Sequence, residues 1–130
     1  MKLQLPAVVA LCCLVLSGCS SIQNRASRPA LIGHIVFVEL NDFAHYPEIL
    51  ADSDSLLATI PSVSKYAAGS HVDTGRATVS DDYDLAIYLG FESVEALAEY
   101  VDHDQHIEYV RKWKPKLKSL RIYDMLDPSQ

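Results

Sequence analysis

The chain has 130 residues, of which 49% are hydrophobic, and its formal net charge is −6. This length suits one domain with its own core and is too short for two. An acidic chain without a basic stripe between aromatic residues repels phosphate backbones, so we expect no nucleic-acid partner. The three cysteines stand at positions 12, 13 and 19. The rest of the chain therefore has neither a disulfide framework nor a thiolate metal site.

An apolar run near the N-terminus ends in the sequence Leu16-Ser-Gly-Cys19. Lys2 precedes this run, which is about as long as the apolar region of a secretory signal and too short to span a bilayer. The pattern resembles a bacterial lipobox, in which the chain is cut before the cysteine and the cysteine carries the lipid. We predict a signal peptide over residues 1–18 and lipidation at Cys19. An ordinary cleaved signal is the alternative.

A polar segment without hydrophobic periodicity follows the cysteine, and we predict a flexible linker over residues 19–32. Ser20, rather than an aspartate, follows Cys19. By similarity to Gram-negative lipoproteins, this predicts sorting to the outer membrane, facing the periplasm. The predicted domain covers residues 33–125, and residues 126–130 form a tail.

The domain begins with a predicted strand, His34–Leu40, that is apolar at both alternating sets of positions. A strand of that kind needs cover on both faces. Pro47 suits the first position of a helix. Apolar residues then recur at helical spacing from Ile49 to Ile60, and Pro61 ends the helix.

Two further strands are predicted, separated by a polar loop over residues 73–82. Val63–Val72 is the weaker strand, because Gly69 and Ser70 interrupt it. Tyr83–Phe91 alternates clearly between large apolar residues and other residues, which predicts a strand with one buried face.

The sequence of the last part of the domain predicts two short helices and a strand. Ser93 is a plausible N-cap for a helix that runs to about Val101. A second helix spans about Gln105–Trp113 and stops before Pro115. Leu117–Met125 then forms the closing strand.

The order of these elements is βαββαβ, which predicts an α+β, ferredoxin-like protomer with a four-stranded antiparallel sheet. Both helical segments then lie on one face of the sheet. The other face is apolar and lacks cover, which would be unusual for a soluble monomer. We therefore expect a homodimer in which two sheets meet face to face, a dimeric α/β barrel.

Short motifs recur along residues 33–125: His34-Ile-Val, then Ile60-Pro-Ser-Val with Gly69, then the run from Phe91 to Tyr100 that continues to His103-Asp-Gln-His106. Together they resemble the stress-responsive A/B barrel (Dabb) domain family. The resemblance implies a dimeric barrel of ferredoxin-like protomers, the same architecture that the element order predicts. Most members of the family have no assigned activity.

One plant member of this family is a polyketide cyclase that closes a ring by an aldol reaction, with a tyrosine and a histidine in its pocket. The resemblance implies that Tyr100 and His106 occupy these two positions, and that His34 is the histidine of the first strand. Leu85 stands where the cyclase has a further pocket histidine. This difference argues against the same reaction on the same substrate.

The residues themselves point to a pocket between the sheet and the helices. His34 shares a strand face with Val36 and Val38, and Tyr100 and His106 flank the helix break, so all can face one apolar cup. We expect the following ligand-binding residues: His34, Val36, Val38, Tyr100, His106, Tyr109, Leu120 and Ile122.

His106 and Tyr100 are the candidate catalytic pair. A neutral histidine could accept a carbon-bound proton while the tyrosine hydrogen-bonds the enolate that develops. The alternative is a buried hydrogen-bonded network that only holds the helix on the sheet.

His103 and His106 are three residues apart and share a helical face, but a metal site needs further ligands, and we expect none. The sequence has no glycine-rich phosphate loop, no Gly-x-Ser-x-Gly motif and no nucleophilic cysteine, so no cofactor is predicted.

The predicted function is a lipid-anchored, homodimeric module of the cell envelope that binds a small apolar or aromatic molecule, or acts in a stress response, without established catalysis. One alternative is a cyclase-like or proton-transfer enzyme that uses His106 and Tyr100. A structural envelope protein, which uses the barrel only to dimerise, is the other alternative.

Overall fold

The computed structural model of the chain describes residues 26–128. The predicted signal peptide, Cys19 and the first part of the predicted linker lie outside the described residues. The last two residues of the predicted tail also lie outside them. No helix within the described part of the chain is long and apolar enough to cross a membrane.

Four antiparallel strands form a single sheet. They are β1 (Ile32–Leu40), β2 (Lys65–Gly69), β3 (Leu85–Phe91) and β4 (Leu117–Leu126). Their order across the sheet is β2-β3-β1-β4, so β1 and β3 are central and β2 and β4 form the edges. The predicted α+β, ferredoxin-like class with a four-stranded antiparallel sheet is confirmed.

Three α-helices cover one face of this sheet: α1 (Tyr46–Asp52), α2 (Val94–Asp102) and α3 (Asp104–Trp113). The predicted N-cap of α2 is confirmed, because the Ser93 hydroxyl accepts a hydrogen bond from the Ala96 N–H at 3.1 Å. Between α2 and α3, His103 adopts an extended conformation, which produces the predicted break.

The sequence predicts one continuous first helix up to Ile60, but the α-helix ends at Asp52. After α1 the chain forms a π-helical turn over Ser53–Leu57. The Ser53 side chain is fully buried, and its hydroxyl donates to the Ile49 carbonyl at 2.7 Å. The Ala58 N–H bonds the Ser53 carbonyl, five residues back, which gives the turn its wider spacing.

The core lies between the sheet and the helices. Alternate residues of β3 (Leu85, Ile87, Leu89 and Phe91) are at most 2% exposed. Each such side chain, once buried, stabilises the fold by about 1.5–3 kcal/mol. The predicted alternation along this strand is confirmed, although the strand begins at Leu85 rather than Tyr83.

β2 is shorter than predicted, because its pairing with β3 ends where Gly69 lies opposite Ala86. Glycine has no side chain to pack against a neighbouring strand, and the next two residues, Ser70 and His71, are polar. The predicted exposed loop over residues 73–82 is confirmed, since no helix or strand forms between β2 and β3.

The sheet face opposite the helices is only partly covered by the chain. Ile35 and Phe37 of β1 lie on this face, and Tyr123 and Met125 beside them are 55% and 47% exposed. At one end, Tyr83 packs edge-on against Phe37, with 4.9 Å between the ring centroids. The rest of the face is open in a single chain.

The residues before β1 pack against the sheet. Ala30 is 4% exposed, and Arg28 forms an ion pair of 2.6 Å with Asp127 just after β4. The Leu31 carbonyl accepts a hydrogen bond from the Asp127 N–H at 2.8 Å. Ordered packing therefore begins a few residues before the predicted domain boundary at residue 33.

Candidate functional site

A cavity of about 220 Å³ lies between the sheet and the helices. Its walls are mainly aliphatic and aromatic, and a few polar side chains converge on it. The predicted ligand-binding residues all line it: His34, Val36, Val38, Tyr100, His106, Tyr109, Leu120 and Ile122. The remaining lining residues, which sequence reasoning missed, are Ile49, Leu57, Ile87, Val110, Trp113, Lys114 and Leu117.

His34 projects from β1 into this cavity and is only 8% exposed. Its Nδ1 lies 2.6 Å from the Asp124 carboxylate, which is on β4 directly opposite in the register. When the imidazole is neutral, Nδ1–H donates to Asp124 and the Nε2 lone pair stays free. Sequence reasoning missed Asp124, and only the β1–β4 register could have identified it.

Tyr100 of α2 contacts both cavity histidines and forms a polar group with His34 and His106. Its ring lies 5.9 Å from the His34 ring, 4.6 Å from the His106 ring and 5.2 Å from the Phe91 ring, measured between centroids. The side chain is 2% exposed, and burial raises the pKa of its hydroxyl far above the ordinary value, with a smaller contribution from Tyr109. The hydroxyl is therefore a proton donor at any physiological pH.

His106, near the start of α3, is held by a backbone bond. Its Nδ1 lies 2.8 Å from the Val101 carbonyl oxygen, so Nδ1–H is the donor and Nε2 keeps a lone pair. Burial lowers the pKa of His106 below its ordinary value of 6.5; the Val101 bond opposes the shift, and His34 adds to it. The imidazole is consequently neutral near pH 7 and can accept a proton.

Tyr109 contributes its ring to the cavity wall, but its hydroxyl is already bonded elsewhere. It lies 2.8 Å from the Ser53 hydroxyl, which itself donates to the Ile49 carbonyl. The Tyr109 O–H is therefore the donor to Ser53. Burial raises the pKa of Tyr109 to about 12. This chain of bonds ties α3 to the π-helical turn.

Trp113 and Lys114 lie at the other end of the cavity, where α3 ends. The indole N–H of Trp113 donates to the Asp52 carboxylate at 2.9 Å, and that carboxylate also binds Lys112 at 2.6 Å. This arrangement fixes the indole against the core, where it is 1% exposed.

His103 and His106, three residues apart, have different roles in the structure. The Nδ1 of His103 accepts a bond from the Gln105 N–H at 3.3 Å at the start of α3, whereas His106 faces the cavity. Within residues 26–128 there is no group of three or more side chains that could hold a metal ion.

A family model describes most of this chain. Residues 32–127 match the model of the stress-responsive A/B barrel domain. The chain belongs to the Dabb family. Comparison with proteins of curated function found no significant match.

Several solved structures share the fold. A hydroxynitrile lyase from Passiflora edulis superposes with a TM-score of 0.67 at 17% identity, over 79% of this chain and 98% of the lyase. A Dabb family protein from Mesorhizobium loti gives 0.64 at 23% identity, over 74% of this chain and 95% of that protein. A dimeric ferredoxin-like protein of unknown function from Thermobifida fusca superposes with a TM-score of 0.63 at 21% identity, over 74% of this chain and 90% of that protein. At these identities the similarity establishes the fold alone.

The burial of His106 predicts a measurable titration. Its ring protons, followed by NMR, should titrate with a midpoint below 6.5, because burial disfavours the charged form. As the pH falls below about 6.5 the unfolded chain takes up the proton first. The free energy of unfolding therefore falls as the pH drops from about 6.5 to the lower pKa of His106 in the folded state.

The Tyr100→Ala variant should move this midpoint upward, towards 6.5, because water reaches the His106 ring. Phe43→Ala, which changes an aromatic residue that is 61% exposed, is the control and should leave the midpoint unchanged. A wild-type midpoint at or above 6.5 would contradict the prediction.

Proposed function

We propose that this Dabb protein binds a small, largely apolar molecule in the cavity of each protomer. One observation carries the proposal: apolar walls surround a group of three polar side chains, His34, Tyr100 and His106, that converge on one end of the cavity. Few polar groups in an apolar concave surface are typical of small-molecule sites. The volume of about 220 Å³ lies below the roughly 300–1,000 Å³ of drug-sized sites, which favours a small ligand.

The polar end of the cavity supports recognition of a ligand with at least one hydrogen-bonding group. Tyr100 offers a hydroxyl donor, and His106 offers an Nε2 acceptor, since its Nδ1 is engaged by the Val101 carbonyl. The Nδ1 of His34 is engaged by Asp124, so its Nε2 is the ring nitrogen left for a ligand. A buried polar group without a ligand partner costs free energy, so the site favours ligands that satisfy it. The open cavity argues against a purely structural role.

The binding proposal is tested by the molecules that co-purify with the full chain in lipid nanodiscs. Val36 lines the cavity from β1, and Val36→Trp should fill much of it. We expect mass spectrometry to find a small molecule enriched with the wild-type protein and lost from Val36→Trp. Val94→Trp, at a surface valine that is 62% exposed, should retain it. Equal amounts with all three proteins would refute the proposal.

A second candidate function is proton transfer, with His106 as the base and Tyr100 as the donor to an enolate. The observation that favours it is the neutral His106, whose Nε2 lone pair is free beside the Tyr100 ring at 4.6 Å. Exchange of a carbon-bound proton of the co-purified molecule for deuterium would support this function, provided that His106→Gln binds the molecule but abolishes the exchange.

We also propose that the protein is a homodimer joined through the uncovered sheet face. This face exposes aromatic and aliphatic side chains, and the Tyr88 hydroxyl on it is buried without a hydrogen-bond partner among residues 26–128. A second copy placed by a two-fold axis would cover the patch with an identical surface. The structural relative from Thermobifida fusca is described as dimeric.

A charge placed on this face should separate the protomers. Native mass spectrometry of the full chain released from micelles should find two copies for the wild type and one for Tyr123→Asp, because the carboxylate would be buried without a partner. Ile107→Asp, at an α3 residue that is 52% exposed, should leave the dimer intact. A wild-type chain found only as a single copy would refute the dimer.

The proposed location is the cell envelope, with the protein anchored through a lipid on Cys19 and, in a Gram-negative host, facing the periplasm from the outer membrane. Metabolic labelling with an alkyne fatty acid should mark the wild-type chain and the Cys13→Ala control but not Cys19→Ala, because only the cysteine at the cleavage point is acylated. Label that persists in Cys19→Ala would rule out lipidation at that residue.

A further inference from the structure

The cavity has a second polar end, formed by Lys114. This residue follows directly after α3 and lines the cavity beside Trp113. It lies eight residues after His106 in the sequence. A helix rises 1.5 Å per residue, so Lys114 and His106 are separated by about 12 Å along the helix. Apolar side chains of α3 and β4 line the cavity between these two ends.

Lys114 is the only charged residue among the described residues that line the cavity, histidines aside. Two nearby lysines are ion-paired: Lys112 binds Asp52 and Glu48, at 2.6 and 2.8 Å, and Lys118 binds Glu39 at 2.5 Å. The ammonium group of Lys116 lies over the Trp113 ring, 4.6 Å from its centroid, and Lys116 does not line the cavity. Lys114 itself forms no ion pair within residues 26–128. A lysine without an ion-pair partner among these residues therefore lines this apolar cleft.

The overall charge makes this local cation significant. The chain has a formal net charge of −6, so its average field repels anions. An anionic ligand would need a nearby cation to enter the cleft, and Lys114 supplies one. A lysine at the C-terminal end of a helix also interacts favourably with the negative end of the helix dipole. This purely structural role is the competing explanation for the position of Lys114.

We propose that the ligand is an amphipathic monocarboxylate. Its carboxylate pairs with Lys114 at the mouth, its apolar body lies between α3 and β4, and its far end meets Tyr100 and His106. Lys114 is the one lysine among the described residues that line the cavity, and one positive charge there matches a carboxylate better than a doubly charged phosphate. This inference rests on the proposed binding function and names the class of molecule that the site would take.

The chain contains a natural reporter for this test. Trp113 is its only tryptophan, and it lines the cavity next to Lys114. Binding can therefore be followed by tryptophan fluorescence of the full chain in nanodiscs of uncharged lipid. The probes are phenylbutyrate and its neutral counterpart phenylbutanol, which have the same apolar body and differ only in the charged group.

Lys114→Gln is the test variant, and Arg111→Gln is the matched control. Both remove one positive charge from the end of α3, but Arg111 does not line the cavity. We expect Lys114→Gln to bind phenylbutyrate about fivefold more weakly, the upper range for an exposed ion pair, and to bind phenylbutanol as the wild type does. Arg111→Gln should leave both affinities unchanged.

The outcomes separate the two proposals. If both variants weaken phenylbutyrate binding equally, or if Lys114→Gln does not weaken it, Lys114 does not pair with the carboxylate. The proposed binding function would stand in either case. A loss of stability in Lys114→Gln with unchanged affinity for both probes would assign the residue to the helix dipole alone. If neither probe changes the fluorescence of the wild-type protein, the proposed binding of small amphipathic molecules fails together with this inference.

Discussion

β1 pairs with β3 on one side and with β4 on the other along nearly its whole length, and its side chains point alternately towards and away from the helices. The residues towards the helices, among them His34 and Val38, form the floor of the cavity. The residues pointing away, Ile35 and Phe37, form the centre of the uncovered face. Because successive side chains of a strand lie on opposite faces, one strand supports both features, and a one-residue slip in register would exchange them.

The chemistry of the cavity depends on bonds made outside it. His34 is oriented by Asp124 from the next strand, and His106 is oriented by the Val101 carbonyl at the end of α2. Each bond engages Nδ1, so the Nε2 atom of each ring is left to face the cavity beside the Tyr100 ring. The cavity thus offers a defined pattern of donor and acceptors, and the surrounding apolar walls strengthen any hydrogen bond made to a ligand.

The comparisons place the fold in a family and leave the chemistry to the individual site. A lyase, a Dabb family protein and a protein of unknown function share this architecture at low identity. One fold can host many functions, because function resides in the side chains that a pocket presents. In this chain those side chains are the polar group around Tyr100 at one end of the cavity and Lys114 at the other. The proposed ligand class follows from these two ends.

The fold could be predicted from the sequence, since alternation along Tyr83–Phe91 and helical spacing after Ser93 are local patterns. The polar side chains of the candidate site, His34, Tyr100 and His106, could also be proposed from the sequence. The π-helical turn at Ser53, the partnership of His34 with Asp124 and the place of Lys114 could not. Asp124 lies 90 residues from His34 in the chain. Such contacts depend on the register of paired strands and on how α3 packs against the sheet. The sequence by itself therefore determined the order of the strands and helices and the buried face of β3. The tertiary structure decided which distant residues meet, because long-range pairing leaves no periodic signal in the chain.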